Sequence, residues 1–174
     1  MKKTLKLALS LTLSLSLTAP VALAPSHVGA APKKSTNQKQ QYYTKADKSY
    51  IQHHSAVLYK LRTQTEDLLK FFFEVDKYDE EQFVKIVENK IDAWEKTMHQ
   101  ALKYRPQDVP AKFNKAHSLF VAAIEANIES FSPFENEDED PEVTIKKMEQ
   151  KHKIFKQKAY AFDQEIKRLN KIYK

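Results

Sequence analysis

Residues 145–173 read IKKMEQKHKIFKQKAYAFDQEIKRLNKIY. Within them Ile145, Met148, His152, Phe155, Ala159, Phe162, Ile166, Leu169 and Tyr173 follow one another in alternating steps of three and four. That spacing predicts a long α-helix with a single buried stripe. Neither proline nor glycine interrupts it, and Asp140-Pro141 ahead of it supplies an N-cap followed by a first-turn proline. One helix with one apolar stripe is not stable alone in water, so the preceding chain must provide helices that cover it.

Working back towards the start, Pro110 opens a third helical pattern carrying Phe113, His117, Phe120, Val121, Ile124, Ile128 and Phe131 as its apolar set, and Ser132-Pro133 ends it. A second pattern uses Phe83, Val84, Val87, Ile91, Trp94, Met98 and Ala101 and runs to about Lys103. It is preceded by Asp79 with Gln82 three residues on, a capping box, and by Tyr78 and Phe83 at hydrophobic-staple spacing. The first pattern runs from about Asp47 to Glu74 on Tyr50, His54, Val57, Leu61, Thr65, Leu68, Phe72 and Val75, broadened by Ile51, Leu58 and Leu69. Every proline after the leader (32, 106, 110, 133, 141) falls at a boundary between these patterns. The fold class expected is all-α: an antiparallel up-down-up-down four-helix bundle over residues 47–174 with a long C-terminal helix that overhangs or bends. The competing arrangement is a three-helix coiled-coil-like rod in which the first two helices merge.

The first thirty residues read as a secretory signal peptide. Lys2, Lys3 and Lys6 precede the apolar run Leu7–Leu17, and Val28-Gly29-Ala30 before Ala31 is the better cleavage site, because Pro25 follows Ala22-Leu23-Ala24. The alternative, an uncleaved anchor, has a short apolar core for a span. Residues 31–46 (APKKSTNQKQQYYTKA) are polar and aperiodic and read as a flexible linker. After loss of residues 1–30 the chain carries 26 basic against 23 acidic residues, so it is only mildly basic. The expected location is secreted or extracytoplasmic, with no transmembrane span in the mature chain and an association with the cell wall in view.

Two absences exclude whole chemistries. There is no cysteine, hence no disulfide, thiolate nucleophile or Cys-ligated metal. The single glycine, Gly29, lies in the leader, so phosphate-cradling loops, dinucleotide fingerprints and nucleophile elbows have no glycine to build their turns. No serine has a recognisable base and orienting acid. The reading is a non-enzyme that needs no cofactor.

Four groups of side chains nevertheless carry chemistry. Residues 143–174 hold ten Lys/Arg against Glu149, Asp163 and Glu165, while residues 31–142 hold twenty acids against sixteen basic residues. This asymmetry reads either as a lysine-rich solvated face or as a surface for an anionic partner, with Lys146, Lys147, Lys153, Lys167 and Arg168 as its members. Outside a Gram-positive-type cell the abundant polyanions are cell-wall polymers and lipid headgroups; nucleic acid is not expected. Phe71-Phe72-Phe73 spans about 200° of helix arc, so the three rings cannot all face one seam. Phe71 and Phe73, with Phe134, form an aromatic cap that serves the core or a protein partner. His54, His117 and His152 lie on the seams of three helices, and Glu149 precedes His152 at E-x-x-H spacing. His117, His152 and Glu149 are thus metal-ligand candidates, although carboxylate-bridged bundles need two such pairs. The helix rise sets His54 level with His99 and places His117 and His152 at other heights. Finally, six acids between Glu135 and Glu142 offer oxygens for calcium, but no EF-hand glycine or ligand order accompanies them. Acids ahead of a helix N-terminus account for their position.

The segment Pro110-Ala-Lys-Phe113-Asn-Lys-Ala-His117-Ser-Leu-Phe120-Val-Ala-Ala-Ile124, following a Trp94-bearing helix, resembles a segment of uncharacterised secreted helical-bundle proteins of Bacillus-type Gram-positive bacteria. The similarity covers about a quarter of the chain. It implies an extracytoplasmic helical domain and carries no site residues; many relatives are lipoproteins, and the missing cysteine departs from them.

Overall fold

The computed structural model describes residues 41–135 and 139–174, with the side chains of Pro106, Phe134 and Glu135 outside that description. The expected signal peptide, residues 31–40 of the linker, and Glu137 and Asp138 of the acidic loop therefore lie outside the described residues. The protein is a helical bundle of four α-helices: α1 (Lys45–Phe73), α2 (Glu80–Ala101), α3 (Asn114–Glu129) and α4 (Pro141–Asn170). Among the described residues there is no strand, only an isolated backbone bridge between Gln41 and Tyr173.

Local chemistry explains each boundary. Thr44 and Asp47 form a reciprocal capping box, with Asp47 N donating to Thr44 Oγ1 (3.1 Å) and Thr44 N to Asp47 Oδ2 (2.7 Å). Helix α1 consequently starts two residues ahead of the expected Asp47. It ends at Phe73, and a 3₁₀ turn over Val75–Lys77 separates it from α2, so the two do not merge. Asp79 accepts from the Gln82 amide (2.8 Å), the first half of the anticipated box. Phe71 sits between the two staple residues, 4.9 Å from Tyr78 and 5.0 Å from Phe83 by ring centroid. Helix α3 begins later than its proline: Pro110 leads a 3₁₀ turn, Ala111–Phe113, that runs into the helix. At α4 the sequence reading holds, since Asp140 accepts from the Glu142 amide (2.9 Å) and Pro141 fills the first turn.

The long α4 stripe is buried as its spacing requires: Ile145, Met148, His152, Phe155, Phe162, Ile166 and Leu169 are buried, and Ala159 and Tyr173 half-buried. The seams of α1 and α2 also match. The face of α3 differs. Its buried residues are Ala116, Phe120, Ala123, Ile124 and Asn127, whereas His117, Val121 and Ile128 are only half-buried. Small alanines let neighbouring helices approach closely, and Asn127 is held by hydrogen bonds, so volume and pairing outweigh apolarity there.

Helix α1 packs on α2, α3 and α4, and α3 packs on α4. Residue pairs give the registers. His53 meets Gln100, Gln64 meets Ala93, and Asp67 pairs with Lys90 across α1 and α2. Tyr43 meets Tyr173, His54 lies near Phe162, and Glu66 pairs with Lys156 across α1 and α4. Lys115 pairs with Glu165, and Glu129 with Lys151, across α3 and α4. Two apolar clusters result. The larger joins Tyr50, Leu61, Trp94, Phe113, Phe120, Phe155 and Phe162, and the smaller joins Phe71, Phe72, Phe83, Val87, Ile145 and Met148. Each fully buried ring contributes about 1.5–3 kcal/mol from removal of apolar surface.

Residues 41–46, expected to be part of the linker, are tied to the bundle. Tyr43 N donates to Lys174 O and Lys174 N to Gln41 O, both at 2.9 Å. The Tyr43 ring stacks on Tyr173 (5.4 Å) and Phe113 (6.1 Å), and its hydroxyl donates to Asn170 Oδ1 (2.9 Å). This segment covers the end of α4 where an overhang was expected. The run Gln40-Gln41-Tyr42-Tyr43 in a polar stretch has no periodicity to reveal it.

Candidate functional site

Members of three sets of sequence candidates meet in one place. Glu66, Leu69, Lys70 and Phe73 occupy one flank of α1 at spacings of three, one and three. Glu149, His152, Lys153 and Lys156 repeat that spacing on α4. The two flanks face each other across a groove of about 310 Å³. It gathers Phe73 of the aromatic cap, Lys153 of the basic set, and the Glu149–His152 pair.

His152 is the unusual member. It is 3% exposed, and neither ring nitrogen has a hydrogen-bond partner. Its Nε2 stands 3.6 Å from Glu66 Oε1, beyond hydrogen-bond range. Glu66 is already engaged by Arg62 (3.2 Å) and Lys156 (3.3 Å). Burial opposes the Glu66 charge, but these two cations together hold its carboxyl below the usual range. Burial, with Lys156 nearby, also lowers the His152 pKa, partly offset by Glu66, so the ring is neutral at pH 7. Phe73 is 58% exposed while its neighbours Phe71 and Phe72 are buried. The three successive rings thus divide between core and groove.

The other basic candidates separate by pairing. Lys147 pairs with Glu139, and Arg168 grips Glu165 with two bonds (2.9 and 2.6 Å) while Lys115 reaches the same carboxylate (3.0 Å). Those bonds, led by Arg168 and opposed by burial, hold the Glu165 carboxyl below its usual range. Lys146, Lys153 and Lys167 are exposed and form no ion pair with the described residues. With exposed Tyr160 between Lys153 and Lys167 they fall at seven-residue steps, so they share one stripe on an exposed flank of α4, the flank whose Lys153 also borders the groove.

His53, His54 and His117 form a second cluster against the larger core. His54 is fully buried and lies 5.8 Å from His117, 4.4 Å from Phe120 and 3.9 Å from Tyr50 by ring centroid. Its Nδ1 donates to the Tyr50 carbonyl (2.8 Å), which leaves Nε2 as a bare acceptor with no partner. The Tyr50 hydroxyl meets His117 Nδ1 at 3.3 Å. The expected level of His54 with His99 agrees with the His53–Gln100 contact, although His99 faces solvent; the height of His117 needs correction, since it lies beside His54. Phe113 packs on Tyr50 (4.6 Å) before α3 begins, so His117 stands only one turn above that contact and meets His54. His117 and His152 consequently belong to different sites. Among the described residues no group of three or more His, Asp or Glu is placed to hold a metal ion.

A second hollow of about 290 Å³ lies between α1 and α2 beside Gln64 and Ile86, but its charges, Asp67 and Lys90, are paired with each other. The acids ahead of α4 are likewise engaged where described: Glu139 with Lys147, and Asp140 with the helix amide. No described helix is long and apolar enough to cross a membrane. Comparison with protein-family models, with curated proteins and with solved structures found no match.

Glu66, Lys70 and Lys156 are not candidates in the sequence, and Leu69 enters there only as part of the apolar face of α1. Their signal was present as equal spacing on two helices, but nothing in either helix alone says which flanks will face each other.

Proposed function

We propose that this chain is an exported, non-catalytic helical bundle whose last helix associates with anionic polymers or headgroups of the cell envelope. The observation that carries the reading is the outward stripe of Lys146, Lys153 and Lys167, exposed and without acidic neighbours at ion-pair distance among the described residues. Basic residues already matched within the bundle, Lys147 and Arg168, take no part. Three cations in line along the helix, with gaps of about 10 Å and about 21 Å, match a linear polyanion better than a compact one.

The scaffold we propose is the antiparallel up-down-up-down bundle. Pairs such as His53–Gln100 with Phe71–Phe83, and Tyr43–Tyr173 with Glu66–Lys156, favour it, because numbers rise on one helix as they fall on the next. The leader-like residues 1–30 are the basis for export.

The test is co-sedimentation of the purified protein with isolated Gram-positive cell walls across a salt titration. Binding should weaken steeply with salt. It should fall further in the Lys146→Gln/Lys153→Gln/Lys167→Gln variant, while Lys147→Gln leaves it unchanged. Equal binding by the triple variant would remove α4 from this role.

A further inference from the structure

We propose that the groove between α1 and α4 is a binding site for a small organic anion with an apolar body. The anionic end is held by Lys70 and Lys153, the body lies on Leu69 and Phe73, and His152 provides a hydrogen bond at the floor. The site goes beyond the envelope reading; the two share Lys153, and the groove alone uses Leu69, Lys70, Phe73 and His152.

Three observations converge. First, a buried imidazole with neither nitrogen hydrogen-bonded is costly, and natural structures keep such groups where something else completes them. Glu66 does not, because it is 3.6 Å away and already engaged by two cations.

Second, the charge of the lining is unbalanced. Lys156 and Glu66 cancel. Of the remainder, Lys70 and Lys153 are exposed cations and Glu149 is a single acid, none of them ion-paired among the described residues. A monoanion corrects that balance, whereas an organic cation worsens it.

Third, Phe73 exposes more than half of its surface at the mouth although it follows two buried rings. Covering it removes apolar area from water. The volume, about 310 Å³, lies at the small end of ligand pockets and suits a single-ring acid better than a polymer segment.

The experiment is an NMR titration of the purified, isotope-labelled protein with benzoate, phenyl phosphate, benzyl alcohol and benzylamine. The His152 ring and Phe73 signals are followed. Benzoate or phenyl phosphate should shift both saturably at millimolar concentration, and the tighter of the two reports whether a carboxylate or a phosphate is preferred. Benzyl alcohol should bind about tenfold more weakly, and benzylamine should leave His152 unmoved. Phe73→Ala and Lys153→Gln replace exposed residues, so folding is retained; each should weaken the anion several-fold, and Lys146→Gln should not. No His152 shift with either acid, an equal shift with benzylamine, or unchanged affinity in both groove variants would each overturn the proposal. Because Lys153 is common to both, the two readings are separated by variants that touch only one of them: Lys146→Gln/Lys167→Gln for cell-wall binding and Phe73→Ala for the groove, so either reading can fail alone.

Discussion

Trp94 donates its indole N–H to Asn127 Oδ1 across 2.8 Å in the centre of the bundle, where the two residues are 7% and 0% exposed. Asn127 passes the bond on, its amide donating to Thr65 Oγ1 at 3.1 Å. One amide therefore joins α2, α3 and α1 at a single level. Asn127 accepts only from a donor at this height, so sliding any of the three helices by a turn would strand a buried polar group.

Replacing Asn127 with Ala should cost about 2–4 kcal/mol, the sum of an unsatisfied indole N–H, a stranded hydroxyl and a small cavity. Urea unfolding checks this. Combining Trp94→Phe with Asn127→Leu should cost less than the two single changes added together, because neither partner is then left unpaired. A single Asn127→Ala loss below about 1 kcal/mol would mean that water replaces the amide.

His54 makes stability depend on pH. Burial lowers its pKa to about 4 from the ordinary 6.5, with His53 and His117 adding to the effect against its bond to Tyr50. The unfolded chain then binds more protons than the folded one between those values, so stability falls as pH drops from 6.5 towards 4. The full loss from this group is roughly 2–4 kcal/mol, and it levels off below pH 4. Chemical denaturation at a series of pH values should show this slope. His54→Phe should reduce it, leaving the contributions of the same sign from His117 and His152, and a His54 ring titration by NMR with a midpoint near 6.5 would contradict the assignment.

Tyr43 anchors the segment before α1. Truncation in Tyr43→Ala removes its stacking on Tyr173 and Phe113 and its bond to Asn170. Amide exchange of Tyr43 and Lys174, whose N–H groups close the bridge, should then accelerate at least tenfold, while that of Phe120 and Phe162 stays protected. Unchanged exchange at Lys174 would show that the backbone bridge holds by itself.

Much of this architecture was legible residue by residue. The stripe from Ile145 to Tyr173, the Asp79 and Asp140 caps and the boundary prolines depend on neighbours within a turn or two, where local geometry dominates. The α3 face was misjudged at Val121 and Ile128 because close packing of Ala116 and Ala123 and the bonds of Asn127 outweigh side-chain apolarity. The Tyr43 clasp was missed for a similar reason: its partners, Phe113, Asn170 and Tyr173, lie far away in sequence.

By itself the sequence determined that the described chain is helical, the number of its long helices and their boundaries to within a few residues, and which stripe of α4 must be buried. These follow from periodicity and capping, which act over a few residues. Only the tertiary structure decided that His54 meets His117, that Lys147 and Arg168 are spent on internal carboxylates, and that His152, Phe73 and Lys153 share one groove. Those outcomes depend on the rotation and height of one helix against another, which are set by the packing of whole faces rather than by any segment alone.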